Sequence, residues 1–359
     1  MRKYYTRVCN FYYGKKAKNL ITNKKALSLN SRKDIAFDQI EIIQRKKNKI
    51  TESKFYSITE IREPDNKKIL FEIENDLKNV TLERESILGM RFDVPQIMGV
   101  LNITPDSFSD GGLFIEEKKA YDQGRLMINN GATLIDIGGE STRPESNIVD
   151  EKEEWIRIKN TIIKLKKDFP ETLLSLDTRK SYVMSRGIKN GINIINDVSG
   201  LNFDNKSFDI INSKKAPFIL HHMQGTPDTM QKNPTYDDVL LDIFDFFEEK
   251  INFCIKQNFA RRLIILDPGI GFGKNLNHNL RLMSKISIFH SLGCPILLGA
   301  SRKRFIEHIV TKFDTPDRTG GTLASVLYGL SQGVQLFRVH NVKEINQGIL
   351  VFNKILNTN

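Results

Sequence analysis

The chain of 359 residues is 40% hydrophobic and carries 54 Lys and Arg against 43 Asp and Glu, a formal net charge of +11. This length and apolar fraction exclude a wholly disordered chain and allow one large domain or two ordinary ones. Its three scattered cysteines are too few for a disulfide framework or a zinc knuckle. No apolar run approaches the roughly 18 residues that span a bilayer. The net charge alone would favour a nucleic-acid-binding protein.

Most of the excess positive charge lies at the start of the chain. Residues 1–90 contain 20 Lys and Arg against 12 Asp and Glu, whereas residues 91–359 contain 34 against 31. The first 33 residues include ten basic side chains and no acidic one. We therefore predict a small basic N-terminal extension over residues 1–90, weakly structured at its start. A nearly neutral domain over residues 91–359 follows it.

Two short segments of the extension alternate between apolar and polar residues. They are residues 38–42 (DQIEI) and 71–74 (FEIE), and this alternation predicts short strands. The acid-free start is also compatible with an organellar transit peptide, although its charge comes mostly from Lys rather than Arg. Because no secretory apolar core is present, we expect a cytoplasmic protein of bacterial type, with organellar import as the minor alternative.

From residue 95 onwards, short apolar runs alternate with longer amphipathic segments. Eight runs are predicted strands, at residues 97–102, 134–137, 173–178, 192–197, 218–222, 263–267, 296–299 and 336–339. The clearest predicted helix covers residues 239–255 and follows Asp237 and Asp238, acidic residues that are typical of a helix N-terminus.

This alternation predicts the fold class. Strands that are apolar on both faces and alternate with helices indicate parallel βαβ units. Eight such units match an α/β protein with a (β/α)8 TIM barrel, whose usual size is roughly 250 residues. A doubly wound open sheet is the alternative.

Each predicted strand runs into polar or charged residues at its carboxyl end. These residues are Asn102, Asp136 with Glu140, Asp177, Asn196 with Asp197, His221 with His222, Asp267, the run 301–303, and Arg338 with His340. In a barrel the carboxyl ends of the strands converge on one face, where the active sites of this fold lie. One polar strand end would fit a turn or a helix cap, but eight together predict an enzyme.

The converging residues divide into two chemical groups. Asp177, Asn196 and Asp267 suit a flat heterocycle with amino and ring N–H groups, because a carboxylate can accept two parallel N–H bonds. Cationic or donor groups suited to phosphate or carboxylate come from Lys303, Arg338 and His340. The segments 104–112 and 138–144 are rich in Gly, Pro and polar residues, a composition that suits mobile lids over a water-excluding site.

Some of these residues also have plain structural interpretations. Asp197 is as well suited to capping the following helix as to binding a ligand. His221 and His222 are adjacent on a strand and therefore point to opposite faces. With no ligand partner at suitable spacing, a structural role is favoured for both over a metal pair.

Residues 267–274 (DPGIGFGK) resemble a phosphate-binding loop but fail its requirements. Pro268 stands where a Gly is needed, and Asn275 rather than Ser or Thr follows Lys274. We therefore predict a tight turn that places Phe272 over the pocket.

The motifs at the strand ends together resemble those of the dihydropteroate synthase family of pterin-binding barrels. Residues 98–112 (MGVLNITPDSFSDGG) resemble its first signature and residues 135–144 (IDIGGESTRP) its second. The match continues through residues 176–178 (LDT), 195–197 (IND), 222–225 (HMQG), 267–274, 301–303 (SRK) and 338–340 (RVH). It covers essentially all of residues 95–355 in order, with one motif per strand end.

The resemblance implies a transferase of folate biosynthesis. Such an enzyme joins (7,8-dihydropterin-6-yl)methyl diphosphate to para-aminobenzoate, releasing pyrophosphate and forming 7,8-dihydropteroate. The resemblance also implies a TIM barrel, Mg²⁺ as cofactor and a homodimer. It implies small-molecule substrates, with no nucleic acid and no membrane as partner.

The resemblance assigns roles to individual residues. The pterin would be held by Asp177, Asn196, Asp267 and Lys303, with Met223 and Phe272 packing nearby. The diphosphate would be held by Asn102, Arg338 and His340, and Asn102 would also contact Mg²⁺. The aminobenzoate site would be shaped by Thr142, Arg143, Pro144, Phe272 and Lys303. The catalytic residues would be Asp177, Lys303, Asp106 and Asp110, of which Asp177 and the two lid acids favour positive charge on the pterin methylene.

Two other functions remain open from the sequence. A pterin-binding methyltransferase domain shares the barrel and the pterin-side pattern, but the segments 141–144 and 301–303 and the lack of a cobalamin-binding module argue against it. A non-enzymatic nucleic-acid-binding protein is suggested only by the basic extension. For the extension itself, composition leaves open both packing on the barrel and assistance to dimerisation.

Overall fold

The computed structural model describes residues 3–46, 51–104, 113–141, 148–226, 229–230, 233–310 and 317–358. Within its first 81 residues lies a four-stranded antiparallel sheet with two helices. The elements are β1 (Tyr4–Tyr13), α1 (Gly14–Thr22), β2 (Leu27–Ser28), β3 (Ile35–Arg45), β4 (Thr51–Ser57) and α2 (Lys67–Thr81). Strand β3 pairs with each of the other three strands.

The start of the extension is ordered, so the prediction of a weakly structured start is wrong. Strand β1 buries Tyr5 and Val8. Its partner β3 contains the predicted strand 38–42, which is confirmed. Arg7 is the one basic residue within β1, and its Nε donates to the buried Glu41 of β3 at 2.5 Å.

The predicted strand at residues 71–74 is wrong. These residues lie inside α2, which buries Ile73 and Val80 seven positions apart along one side. The four-residue alternation is too short to reveal this spacing, whereas the helical period becomes visible over two turns.

The remainder of the described chain forms the predicted barrel. Its strands are β5 (Gln96–Asn102), β6 (Leu134–Gly138), β7 (Leu173–Asp177), β8 (Ile194–Asp197), β9 (Phe218–His221), β10 (Ile264–Asp267), β11 (Leu297–Leu298) and β12 (Leu336–Val339). Its helices are α3 (Leu113–Asn129), α4 (Glu151–Asp168), α5 (Ser181–Lys189), α6 (Ser207–Lys214), α7 (Val239–Lys256), α8 (Leu276–Ser284), α9 (Arg304–Ile309), α10 (Thr319–Ser331) and α11 (Val342–Leu356).

The eight strands are parallel and follow one another around the barrel in chain order. β12 pairs with β5, and a parallel bridge between Leu266 and Ile296 joins β10 to the start of β11. The (β/α)8 class is therefore confirmed, and the doubly wound open sheet is wrong.

Alternation along the strands divides the barrel interior into two layers. An apolar layer at the amino end contains Met98, Leu134, Ile194, Ile219, Ile265, Leu297 and Leu336, closed from below by Ile87, Met90 and Phe92. Residues two or four positions further along a strand share its inward face. Polar residues at those positions therefore point into the carboxyl end of the barrel.

Helix α7 forms as predicted. The Asp238 side chain accepts bonds from the backbone N–H groups of Leu240 and Leu241 and so caps the helix. Among the described residues, no helix combines the length and the apolar character needed to cross a bilayer.

The extension packs on the outside of the barrel. The Tyr5 ring contacts Phe244 of α7 edge-on at 5.3 Å between ring centroids, and its hydroxyl donates to Asp245 at 2.8 Å. The Ser287 hydroxyl, in the 3₁₀ helix Ile286–Leu292, donates to the carbonyl of Val8 at 2.9 Å. Composition left open two roles for the extension, packing on the barrel and assistance to dimerisation. These contacts are the packing on the barrel.

A buried arginine strengthens this junction. The Arg84 guanidinium donates to the backbone carbonyls of Asn79 and Leu82 at the end of α2, and to the carbonyl of His290 in the barrel at 2.9 Å. Burial lowers the pKa of Arg84 to about 10. The guanidinium therefore satisfies carbonyls on both sides of the junction at once.

Candidate active site

The inward-facing polar residues of the barrel form one cluster at its carboxyl end. The Arg338 guanidinium donates through Nε to Asp136 Oδ2 at 2.7 Å and through one Nη to Asp177 Oδ2 at 2.7 Å. The Asn196 amide donates to the same Asp136 oxygen at 2.9 Å. Asp136 and Arg338 thus connect side chains of four strands, β6, β7, β8 and β12.

This cluster leaves polar atoms for a ligand. Asp136 Oδ1 and Asn196 Oδ1 are buried and have no hydrogen-bond partner within the described residues. Unpaired buried acceptors are costly, so such atoms in a functional cavity indicate a ligand that donates hydrogen bonds. Both atoms suit the amino and ring N–H groups of a heterocycle.

Burial shifts the pKa values of the carboxyl groups in the cavity. It raises the pKa of Asp177 to about 7, against the opposing effect of the Arg338 cation. It raises the pKa of Asp267 to about 6, although the Gly269 N–H donates to Asp267 Oδ1 at 2.8 Å. These two acids are therefore close to their titration range at neutral pH.

Lys303 and Phe272 form a second part of the cavity. Lys303 precedes α9, and its Nζ lies 3.9 Å from the centroid of the Phe272 ring. Burial, together with the Arg338 cation, lowers the pKa of Lys303 to about 8, against the opposing effect of Asp267 and Asp177. A cation held over an aromatic face in this way is stabilised by the ring quadrupole.

The tight turn predicted for residues 267–274 is confirmed. The Phe272 N–H donates to the Gly269 carbonyl at 3.0 Å, and Gly269, Gly271 and Gly273 all have positive φ. A Cβ on Gly269 would lie 1.9 Å from the His222 carbonyl oxygen. Glycine is therefore required where the turn approaches the end of β9.

The two adjacent histidines face opposite sides of β9. His221 faces the cavity, where its ring contacts Phe272 edge-on at 4.5 Å and its Nδ1 lies 3.0 Å from the Val198 carbonyl. His222 packs against Phe246 of α7. Burial lowers the pKa of both histidines well below the usual value, and the Lys274 cation adds to this.

Asp197 has a structural role. Its carboxylate accepts from the N–H groups of Ser199 and Leu201 at 2.9 and 3.1 Å, holding the turn after β8. It follows Asn196 directly and so lies on the opposite face of the strand. Asp197 is therefore structural, but the predicted capping of the following helix is wrong, because the segment it holds ends six residues before α6 begins at Ser207.

Three further predicted site residues lie around the rim. Asn102 ends β5, and Gly138 lies between it and Asp177: a Cβ there would be 3.5 Å from Asn102 Oδ1 and 3.3 Å from Asp177 Cβ. The His340 Nδ1 lies 3.0 Å from the Ser301 hydroxyl. Met223 is half-buried just after β9.

The structure brings most of the predicted site residues to this end of the barrel. Five predicted residues lie outside the described ranges, namely Asp106, Asp110, Thr142, Arg143 and Pro144. Asp136 was noted as a polar strand end, but no role was predicted for it. The signal that identifies its role is its position two residues after the inward-facing Leu134.

Sequence reasoning also missed a buried ionic network beside the cavity. Glu140 accepts from Lys180 Nζ at 2.8 Å, from Arg179 Nε at 3.0 Å and from the Val149 N–H at 3.0 Å. Lys180 also donates to Glu154 of α4 at 2.5 Å. The network connects the segment after β7, where Lys180 lies three residues beyond Asp177, to the start of α4.

Comparisons with known proteins agree with the geometry. The profile of the pterin binding enzyme family matches residues 98–340. Dihydropteroate synthase of Escherichia coli strain K12 is 40% identical over 262 residues, which cover 73% of this chain and 92% of that protein. Dihydropteroate synthase of Bacillus subtilis strain 168 is 39% identical over 263 residues, which cover 73% of this chain and 88% of that protein.

Solved structures resemble the chain to a similar extent. The Yersinia pestis dihydropteroate synthase in complex with a sulfonamide drug has a TM-score of 0.71 and 38% identity, covering 76% of this chain and 98% of that one. The Xanthomonas albilineans dihydropteroate synthase in complex with 7,8-dihydropteroate has a TM-score of 0.66 and 32% identity, covering 76% and 96%.

Proposed function

The chain belongs to the pterin binding enzyme family, and we propose that it catalyses the dihydropteroate synthase reaction. In this reaction the pterin methyl diphosphate condenses with para-aminobenzoate and releases pyrophosphate. The observation that carries the proposal is the cluster of Asp136, Asp177, Asn196 and Arg338. Two buried oxygens of this cluster have no partner among the described residues and suit the N–H groups of a pterin.

The pterin would lie across the carboxyl end of the barrel. Asp177 and Asn196 offer acceptors on one side, and Asp267 and Lys303 lie on the other. Met223 and Phe272 supply apolar surface, and Phe272 is already in place beside Lys303. The predicted pterin-binding roles of these residues rest on this arrangement together with the family membership.

The diphosphate would lie at the rim near Asn102, Arg338 and His340. Arg338 uses Nε and one Nη for Asp136 and Asp177, and its other Nη has no hydrogen bond within the described residues. That nitrogen is therefore available to an anionic oxygen.

The donor set at the rim fits Mg²⁺. The described residues contain no group of three or more His, Cys, Asp or Glu that could hold a metal ion. Mg²⁺ is commonly bound by one or two protein oxygens, with water and substrate phosphates completing its shell. Asn102 offers such an oxygen, and the bound ion would neutralise negative charge that develops on the departing diphosphate.

The reaction needs no covalent bond to the enzyme. As the C–O bond to the diphosphate breaks, positive charge develops on the pterin methylene, and Asp177 is well placed to favour it. The aminobenzoate nitrogen then bonds to the methylene carbon and loses a proton. The roles proposed for Asp106 and Asp110 in favouring this charge, and for Thr142, Arg143 and Pro144 around the aminobenzoate, stay predictions.

A pyrophosphate-release assay tests the proposed function. We expect the purified chain to release pyrophosphate from the pterin methyl diphosphate only when para-aminobenzoate and Mg²⁺ are both present. Mixtures that lack one component serve as controls. No release from the complete mixture, or equal release without para-aminobenzoate, would contradict the proposal.

The pH profile should report the titration of Lys303. Because its pKa is lowered to about 8, the cation is lost as the pH rises through that value. If this cation binds substrate, kcat/KM should fall roughly tenfold per pH unit above about pH 8. An active Lys303→Arg variant should keep its charge and show no such fall. The same alkaline fall in both enzymes would assign it to another group.

The remaining expectations concern the organisation of the protein. The division at residues 90 and 91, the homodimer and the cytoplasmic location stay predictions. We propose that the extension stabilises the barrel, because Tyr5 and Arg84 connect it to α7 and to the 3₁₀ helix Ile286–Leu292.

A further inference from the structure

Lys274 is a buried lysine beside the cavity that the proposed reaction does not use. It is 3% exposed. Its Nζ lies 2.8 Å from the Phe272 carbonyl, 3.1 Å from His222 Nδ1 and 3.3 Å from the His222 carbonyl. No carboxylate forms an ion pair with it in the described part of the chain.

These contacts show that Lys274 serves the protein rather than a phosphate. The Lys274 amino group donates to the His222 and Phe272 carbonyls and shares a third hydrogen bond with His222 Nδ1. Two of these partners belong to His222, directly after β9, and the third belongs to the turn after β10. The side chain therefore connects two of the loops that form the cavity.

The Phe272 backbone has little stiffness of its own. It lies between Gly271 and Gly273, which have positive φ and no Cβ to restrict them. External hydrogen bonds supply the missing restraint: the Gly271 N–H donates to Asn279 Oδ1 at 2.7 Å, and the Tyr236 hydroxyl donates to the Gly273 carbonyl at 2.8 Å. Lys274 supplies the bond to Phe272 itself.

The position of Phe272 determines that of Lys303. The Lys303 ammonium lies over the Phe272 ring, and a Cβ on Gly271 would approach the Lys303 side chain to 3.0 Å. Both residues are the described part of the proposed aminobenzoate site. A displaced turn would move the ring and the cation together.

We propose that Lys274 is a positioning residue for the aminobenzoate side of the site. It holds the Phe272 carbonyl against the end of β9 and thereby fixes the Phe272 ring under Lys303. This inference rests on the proposed synthase activity. It predicts a larger effect on the aminobenzoate than on the pterin, because the pterin contacts of Asp177 and Asn196 do not depend on the turn.

The test is a comparison of Michaelis constants in the pyrophosphate-release assay. Lys274→Met keeps a long apolar stem but removes all three donors. We expect its KM for para-aminobenzoate to rise roughly tenfold, equivalent to about 1.4 kcal/mol. Its KM for the pterin diphosphate should rise by a smaller factor, because Phe272 and Lys303 also lie beside the pterin while Asp177 and Asn196 stay in place. Lys256→Met, at the exposed end of α7, is the matched control.

A second variant keeps the inference testable if Lys274→Met does not fold. Tyr236→Phe removes only the hydroxyl that holds the next carbonyl of the same turn, and it should raise the same KM in the same direction. If the wild-type enzyme is active and the folded variants have an unchanged KM for para-aminobenzoate, the inference is wrong while the proposed function stands. This holds whatever the thermal midpoints of the variants are. A wild-type chain without synthase activity would overturn the proposed function and the inference with it.

Discussion

Replacing Asp177 by Asn is expected to lower kcat/KM for the pterin diphosphate by a hundredfold or more. The substitution preserves the shape of the side chain but removes a carboxylate that pairs with Arg338 at 2.7 Å. It also removes an acceptor for two parallel N–H groups of the pterin. Each hydrogen bond to a charged group contributes about 1.5–3 kcal/mol, and about 1.4 kcal/mol corresponds to a factor of ten.

Steady-state kinetics with circular dichroism would check this expectation. The fold should persist, because Asp136 still pairs with Arg338 through Nε. Asp209→Asn on the exposed side of α6 makes the same chemical change away from the cavity and should leave kcat/KM unchanged. A folded Asp177→Asn enzyme with full activity would remove Asp177 from its proposed role.

The barrel and the composition of its polar end could be predicted from the sequence. Strands buried on both faces are continuous apolar runs, and their polar last residues are visible as interruptions. Asp177, Asn196 and Asp267 were identified in this way because each lies at the carboxyl end of a predicted strand. The type of residue at the end of a strand can be read from the sequence of that strand alone.

The pairings between those ends were not predictable. Arg338 reaches Asp177 and Asp136 across 161 and 202 positions of the chain, so their contact exists only once the barrel has closed. The sequence suggested a diphosphate ligand for Arg338. No residue near it in the chain indicates that its guanidinium already pairs with two carboxylates. The same limit concealed the central role of Asp136.

The extension shows the opposite case, where local patterns misled. The acid-free, lysine-rich start of the chain suggested weak structure, yet Tyr5 packs on Phe244 and bonds to Asp245 in α7. A strand whose second face is covered by a distant part of the chain cannot be recognised from its own composition. In α2 the error was one of period, since four alternating residues fit a strand as well as one turn of a helix.

Replacing Lys180 by Met is expected to destabilise the fold by about 3–5 kcal/mol, the usual cost of removing one partner from a buried ion pair. Lys180, Glu140 and Glu154 are 6%, 8% and 0% exposed. Lys180 donates to Glu140 at 2.8 Å and to Glu154 at 2.5 Å. Without it Glu140 keeps Arg179, but Glu154 loses the one ion pair that the described residues provide.

The pH dependence of this loss identifies its cause. Burial already raises the pKa of Glu154, and the Lys180 cation opposes that effect. Removing the cation raises this pKa further above its unfolded value, so the deficit should be smaller at pH 5 than at pH 8, because acid favours the uncharged carboxyl group. Denaturant unfolding of wild type and variant at both values measures this.

A matched control and a rescue variant complete this test. Lys189→Met on the exposed end of α5 should change stability by less than about 0.5 kcal/mol. Adding Glu154→Gln to Lys180→Met should restore part of the lost stability and reduce its pH dependence, because the amide carries no charge to bury. A deficit that is equal at both pH values and unaffected by Glu154→Gln would mean that lost packing, rather than an uncompensated carboxylate, destabilises the variant.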